Sequence, residues 1–303
     1  MAAALVIATL LWPALWNGFP LVFHDTGAYL AYVHRSGLEP GRGPLYGWFI
    51  ALFYRPSASL WPVLVAQSGL LVWLLRLELR SHGIRGGRPL LLLGLALAAV
   101  TPLPWYASML MPDIFTPMLV LGWHLMVFHR RRMSTRERWA VAALTVLATA
   151  VHMSHLALIL GLALATALVP VCRRRLTGLP MAVLAASLLA IPAINGFSAG
   201  HWGFTPGGQA FVFGRLVQDG IVTRFLAEHC PSPAYRLCDW RNRLPATGDE
   251  WLWSDASPFR KLGAWEGLNE EMGRIARESL AAYPAQHLST ALWASLHQFG
   301  RFA

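Results

Sequence analysis

The sequence predicts an all-α membrane protein: a polytopic helical bundle of seven or eight spans with an external, mainly helical or mixed C-terminal segment. The composition is one reason, because 55% of the residues are hydrophobic and 13% are charged, against about 25% charged in a soluble domain. Several apolar runs also approach the roughly 20 residues that cross a hydrocarbon core. Finally, arginine-rich loops alternate along the chain with loops that hold no lysine or arginine.

Seven apolar segments are predicted to span the membrane, at roughly 3–23, 59–78, 88–105, 112–129, 138–152, 155–171 and 180–196. The first lacks a basic n-region and a small-residue cleavage site, so we interpret it as a retained span. Residues 1–196 then form the transmembrane domain, with an external loop at 24–58. Residues 197–286 hold many of the acidic residues and no spanning run, which predicts an external soluble segment. Residues 287–303 predict an eighth span or an interfacial helix.

Arginines in three loops set the predicted orientation: 76–88, 129–138 and 173–175. The loops near 105–112 and 150–154 carry neither lysine nor arginine. Because basic loops stay on the cytoplasmic side, the N-terminus is predicted to be cytoplasmic and the segment 197–286 to be external. The same distribution argues against nucleic-acid binding, since the net charge of +10 is spread over short loops rather than gathered in one patch.

The predicted external loop departs from this pattern. It contains Arg35, Arg42 and Arg55, although basic residues usually concentrate in cytoplasmic loops. These three arginines are therefore candidates for binding an anion. Residues 45–54 are apolar but too short to span, and their tryptophan and tyrosine content predicts a helix in the membrane interface.

The external segment contains two cysteines and several tryptophans. Cys230 and Cys238 are candidates for a disulfide if the segment lies outside, and unpaired thiols are the alternative. Cys172 adjoins an arginine-rich loop and is expected to be reduced. A helix is predicted around 258–283. Four tryptophans are expected to form a small core or a carbohydrate-stacking surface: Trp240, Trp251, Trp253 and Trp265.

Acids and imidazoles from distant parts of the chain are predicted to reach one membrane level. His24 and Asp25 follow the first span, Asp113 begins the fourth, and His152 and His155 lie between the fifth and sixth. Ionisable residues at membrane depth are costly and mark functional sites, so they predict an acid–base or metal site. The alternatives are structural: helix-terminal carboxylates for the acids and interfacial hydrogen bonds for the histidines.

Several familiar motifs are missing from the sequence. It contains no HExxH or CxxC metal motif, so no metal ligands are assigned, although a divalent ion remains a candidate cofactor. It also contains no GxSxG elbow, P-loop or GxGxxG turn, which argues against ATP hydrolysis and nucleotide-cofactor chemistry.

Three short segments carry a resemblance to a known class. Residues 23–29 resemble the acid-then-tyrosine element that follows the first span in GT-C membrane glycosyltransferases. Residues 42–47 are similar to their Arg/Pro/Tyr segment, and residues 111–116 resemble their second acidic element. The class includes the protein O-mannosyltransferases and the aminoarabinose transferases, and the similarity covers roughly 1–196. Members are usually longer, which predicts a short or truncated member here.

The resemblance implies transfer of a sugar from a polyprenyl-phosphate carrier to a hydroxyl of a glycan, lipid or protein, on the outer face of a bacterial inner membrane. Asp25 would act as general base, and Asp113 would orient the acceptor or hold a divalent ion. Arg42, Arg55 or Arg215 would bind the carrier phosphate, and His152 or His155 would also contact it. Tyr29 and Tyr46 would line or support the site, and His24 is a further candidate for binding substrate.

Two other functions fit the same sequence. A transporter or flippase of a lipid-linked or anionic solute would use the acids as a proton relay. A non-enzymatic assembly factor would use its external segment to bind a partner, and the polar residues would then have no common role.

Overall fold

The computed structural model describes residues 1–34, 41–200, 202–204 and 207–300. Over these residues the chain is helical and has no strand beyond one isolated bridge between Leu21 and Met109, which confirms the all-α class. The chain divides into two compact units, Met1–Pro206 and Gly207–Ala303.

The first unit is a bundle of helices of unequal length. Its α-helices are α1 (Ala2–Leu10), α2 (Trp12–Asn17), α3 (Thr26–His34), α4 (Leu45–Ser57), α5 (Trp61–Ser81), α6 (Gly87–Val100), α7 (Leu103–Ser108), α8 (Phe115–Phe128), α9 (Thr135–Ala150), α10 (Ser154–Leu168), α11 (Pro170–Arg173) and α12 (Leu179–Ala199). Short 3₁₀ helices cover Pro112–Ile114 and Arg130–Arg132.

The segment predicted as the first span, 3–23, is not one continuous helix. The chain breaks between α1 and α2 because Pro13 has no N–H to donate to the carbonyl one turn earlier. Gly18, with φ 74°, then ends α2 in the left-handed conformation. The segment predicted over 88–105 is also interrupted, since Thr101 is extended ahead of Pro102 and ends α6.

Two helices in the described part of the chain are long and apolar enough to cross a bilayer, Trp61–Ser81 and Leu179–Ser198. The other predicted spans correspond to shorter helices. For example, α8 has 14 residues, which at 1.5 Å per residue is about 21 Å against a hydrocarbon core of about 30 Å.

The core of the first unit surrounds α8. This helix packs against α5, α9, α10 and α12, and its side chains Phe115, Met118 and Leu119 are fully buried. Gly122 lets α9 approach closely, because a Cβ at this position would collide with the hydroxyl of Thr145. The central position of α8 brings both of its ends next to neighbouring helix ends, where the polar residues lie.

The second unit has its own core. Its α-helices are α13 (Gly208–Gln218), α14 (Ile221–His229), α15 (Gly248–Trp253), α16 (Pro258–Lys261), α17 (Ala264–Gly267), α18 (Asn269–Ala282) and α19 (Pro284–Phe299), and a 3₁₀ helix covers Arg236–Trp240. The helix expected around 258–283 is therefore three helices, interrupted at Gly263 with φ 97°. Helix α19 lies in this unit rather than in a separate segment.

Aromatic packing and one disulfide stabilise the second unit. Trp251 is fully buried against Phe213 and Phe259, whereas Trp253 is 46% exposed and outside the core. Cys230 and Cys238 form a disulfide that closes a short loop after α14.

Candidate functional site

The turn that carries Asp25 is tied to the segment that carries Asp113. Thr26 begins α3, and its hydroxyl accepts a hydrogen bond from the Phe23 N–H at 2.8 Å and donates one to the Leu110 carbonyl at 3.1 Å. Residue 110 lies just before the 3₁₀ helix Pro112–Ile114 that holds Asp113. Two acids 88 positions apart in the sequence are thereby brought to the same region.

Asp25 forms an ion pair with Arg42. The side chain of Arg42 is 13% exposed and that of Asp25 is 35% exposed, so the guanidinium is largely buried while the carboxylate remains open to solvent. The Tyr32 hydroxyl donates to the Arg42 carbonyl at 2.8 Å and fixes this part of the chain. The arginine predicted to bind an anion thus already holds a carboxylate.

Two buried tyrosines lie beneath this pair. The rings of Tyr29 and Tyr46 meet edge to face with centroids 5.2 Å apart. Tyr46 is fully buried and donates to Gln67 Oε1 at 3.1 Å, and the Gln67 amide donates to the carbonyls of Ala107 and Met109, each at 3.0 Å. This network joins α4, α5 and α7 below the site.

The two phenols remain neutral. Burial raises the pKa of Tyr29 above its ordinary value, opposed by Arg42 and reinforced by Asp25 and Asp113. Burial also raises the pKa of Tyr46 well above its ordinary value, with smaller contributions from Tyr29 and Asp113. Both side chains can therefore donate hydrogen bonds, but neither can serve as a base near neutral pH. At 2% and 0% exposure, Tyr29 and Tyr46 support the site from beneath rather than line it.

His155 is held rigidly by two partners. Its ring is 2% exposed, its Nδ1 lies 2.5 Å from the Ala148 carbonyl, and its Nε2 lies 2.7 Å from the Thr116 hydroxyl. Because a carbonyl can only accept, Nδ1 carries the proton and Nε2 accepts from Thr116. The His152 ring lies 5.2 Å away, centroid to centroid, with its Nδ1 bonded to Ser154.

Electrostatic interactions connect these residues into one group. His152 interacts with the carboxylates of Asp113 and Asp25 and with Arg42. Asp113 also interacts with His155. We call Asp25, Arg42, Asp113, His152 and His155 the carboxylate cluster.

The carboxylate cluster does not fit a resident metal ion. Asp25 is already paired with Arg42, and both ring nitrogens of His155 are occupied by protein partners. Asp113 and His152 remain as the donors least engaged by protein partners, fewer than the ligands of a structural zinc or calcium site.

Three other predicted residues have different contacts. His24 is exposed and packs edge to face on Phe23. Arg55 donates to the Val33 carbonyl at 2.8 Å, which is a structural role. In the second unit, Arg215 of α13 forms an ion pair at 2.8 Å with Asp219, the C-cap residue of that helix. Arg35 lies outside the residues that the structure describes.

A second polar group was not predicted. Glu78, His82, His124 and His129, which we call the histidine cluster, meet at the adjacent C-terminal ends of α5 and α8. The sequence carried a signal for them, because predicted spans two and four both end on the predicted cytoplasmic side, and histidines lie at or just beyond both ends.

The carboxylate cluster thus combines an anion-binding arginine, two acids and two imidazoles contributed by separate parts of the chain. Compared with known proteins, the sequence matches no family model and no curated protein, and the fold matches no solved structure.

Proposed function

We propose that this protein is a membrane glycosyltransferase that moves a sugar from a polyprenyl-phosphate carrier to an acceptor hydroxyl on the outer face of the membrane. The observation that carries the proposal is the Asp25–Arg42 ion pair beside Asp113 and the histidines. It brings together a base and a phosphate-binding group, which are the two functions that this transfer requires.

The proposed reaction forms one C–O bond and breaks another. The acceptor oxygen attacks the anomeric carbon while Asp25 takes the hydroxyl proton, and the carrier phosphate leaves with the bonding electron pair. Asp113 orients the acceptor hydroxyl. Arg42 binds the departing phosphate, since a guanidinium can contact two of its oxygens at once.

Arg42 changes partner in this proposal. Before substrate arrives, it neutralises Asp25; when the carrier phosphate enters, the guanidinium turns to the phosphate and the carboxylate becomes free to accept a proton. Arg42 suits this role better than Arg55, whose guanidinium donates to the Val33 carbonyl, or Arg215, which is paired with Asp219 in the second unit.

Asp25 is the best base among the polar groups of the site. The phenols of Tyr29 and Tyr46 hold their protons. His155 Nε2, the unprotonated ring nitrogen, already accepts a hydrogen bond from the Thr116 hydroxyl. The Asp25 carboxylate is 35% exposed and so is accessible to an acceptor.

Exposed apolar surface supports the membrane location. Large apolar side chains on the helices of the first unit are exposed in numbers that a soluble monomer rarely tolerates, including Trp16, Leu92, Leu164 and Leu189. The Cys230–Cys238 disulfide is typical of an oxidising compartment and supports an external second unit.

The test is to reconstitute the purified chain in lipid vesicles with synthetic polyprenyl-phosphate hexoses and pentoses and a membrane extract as acceptor. We expect carrier phosphate to be released and sugar to be transferred, with Asp25→Asn slowing the reaction by about 100-fold or more. Asp255→Asn, at a side chain that is 98% exposed, serves as the matched control and should retain full activity.

Near-normal transfer by a folded, vesicle-inserted Asp25→Asn variant would eliminate the general-base role. Movement of the intact lipid-linked sugar across the vesicle without cleavage would instead identify a transporter.

A further inference from the structure

We propose that the histidine cluster binds a single transition-metal dication, with Zn²⁺ the best fit, independently of the transfer reaction. The cluster lies at the opposite end of α8 from Asp113, so it is a separate site. Its donors are the carboxylate of Glu78 and the imidazoles of His82, His124 and His129.

The donor atoms already converge. Ligand atoms of Glu78, His82 and His129 all lie within 4.8 Å of one another. Glu78 Oε1 lies 3.0 Å from His82 Nε2 and 3.0 Å from His124 Nδ1. Since Zn–N and Zn–O bonds are about 2.0–2.2 Å, neighbouring ligands of a tetrahedral zinc lie about 3.3–3.5 Å apart, so small side-chain rotations complete the site.

The backbone explains why these donors meet. Glu78 and His82 are four residues apart at the end of α5, which places them on one helix face. His124 lies in the last two turns of α8, and His129 is its C-terminal cap. Helices α5 and α8 pack together, and the His129 ring lies 4.6 Å from the His82 ring and 5.1 Å from the His124 ring.

One carboxylate oxygen of Glu78 is left without a hydrogen-bond partner by the described residues. Glu78 Oε2 is buried and has no hydrogen-bond partner within the described ranges, although the side chain as a whole is 18% exposed. A buried carboxylate oxygen without a partner is costly, and a coordinated cation would satisfy it.

Two nearby arginines, Arg80 and Arg132, are engaged by groups other than Glu78. Arg80 forms a two-pronged ion pair with Glu137, with both N···O distances 2.7 Å, and Arg132 donates to the Ser81 carbonyl. Glu78 is therefore available to the imidazoles and to a metal.

The donor types select the metal. Imidazole nitrogens favour zinc, copper and nickel, whereas magnesium and calcium prefer sites built from oxygen. The His82 side chain is 53% exposed, which leaves an entry path from solvent.

The experiment measures metal bound to the full chain, purified in detergent through a tag that contains no histidine. After treatment with a chelator, the protein is dialysed against ZnCl₂ and bound zinc is counted, and CoCl₂ is used as a visible probe of coordination. We expect one Zn²⁺ per chain and a Co²⁺ spectrum typical of tetrahedral nitrogen and oxygen ligands.

Variants localise the site. His82→Ala and His129→Ala should each weaken zinc binding on the order of 100-fold or more. Glu78→Gln keeps the size of the side chain, removes its charge and should weaken zinc binding comparably. It therefore tests the site even if an alanine variant fails to fold. His229→Ala, at an exposed histidine of α14, is the matched control and should bind normally.

Absence of stoichiometric zinc would overturn the proposal. So would zinc binding that survives in folded His82→Ala, His129→Ala and Glu78→Gln variants, or that disappears in His152→Ala, because the carboxylate cluster would then hold the metal.

Discussion

The two polar clusters of the first unit differ in how their side chains are held. In the carboxylate cluster, the protein itself supplies the partners: Arg42 for Asp25, and Ala148 and Thr116 for His155. In the histidine cluster, two imidazoles share Glu78 Oε1 while Oε2 has no partner among the described residues. The first arrangement is satisfied within the protein, whereas the second leaves a carboxylate oxygen that the proposed metal ion would satisfy.

The clusters also differ in how the chain builds them. The carboxylate cluster lies on turns between helices, joined by hydrogen bonds between distant segments, such as the one from Thr26 to Leu110. The histidine cluster lies on the continuous ends of α5 and α8 and needs only that these helices pack together. Small displacements of helix packing should therefore disturb the carboxylate cluster more.

The largest effect is expected from Gly47→Ala, which tests this difference directly. Gly47 lies where α4 crosses α3, and a Cβ there would approach the Tyr29 carbonyl to 2.7 Å and also collide with the Tyr32 side chain. Relief of the clash must move α3, which begins directly after Asp25. We expect a stability loss of about 1–3 kcal/mol and transfer slowed by about 100-fold, because misplacement of a catalytic group by about 1 Å has that consequence.

Gly27→Ala is the control on the same helix α3, because a Cβ at this position meets nothing within 4 Å. It should leave transfer unchanged, and both variants should bind zinc with wild-type affinity. Equal transfer rates for Gly47→Ala and Gly27→Ala would refute the claim that the carboxylate cluster depends on the contact between α3 and α4.

A smaller effect is expected from Thr116→Val, which removes one partner of His155 with little change in shape. The buried Nε2 then loses its only donor among the described contacts, and the free energy of unfolding should fall by about 1–3 kcal/mol. Thr223→Val, at an exposed position on α14, should change it little. Equal thermal unfolding midpoints for the two variants would show that His155 is not held as described.

The sequence predicted which residues lie in the carboxylate cluster better than it predicted which side chains pair with one another. Their common level followed from the predicted span topology, because the ends of predicted spans on one side are expected to meet. The Asp25–Arg42 pair and the anchoring of Tyr46 by Gln67 could not be predicted, since each depends on side-chain geometry across helices that are distant in the sequence. Pro13 indicated the break in the segment 3–23, but the length of the apolar run favoured a single span.

The histidine cluster was missed because its residues match no spacing motif. Glu78 and His82 follow a helical repeat, but His124 and His129 come from another helix, and only the packing of α5 on α8 unites them. A search for histidines at the ends of predicted spans that share a predicted membrane side would have found them.

The smallest effect is expected beside the histidine cluster, where Arg80 and Glu137 join the end of α5 to the start of α9. The hydrogen bond from Arg80 lowers the pKa of Glu137 to about 2 against an ordinary 4.5, with burial opposing and Ser134 assisting. Glu137 precedes the predicted span 138–152. Because the folded pKa lies below the unfolded one, this stabilisation is complete above about pH 4.5 and is lost as the pH falls toward 2.

Glu137→Gln should therefore lower stability near pH 6 and make progressively less difference as the pH falls from about 4.5 to about 2. The Arg80 side chain is 37% exposed, so solvent screening limits the loss to about 1 kcal/mol or less. Thermal unfolding of the wild-type protein and of Glu137→Gln across this pH range measures this loss of stability. Asp255→Asn, at an exposed side chain, is the control. Zinc affinity near pH 6 should stay within about twofold of wild type, since Glu137 is not a ligand. If the difference in stability between wild type and Glu137→Gln grew as the pH fell, the ion pair would be refuted as its cause.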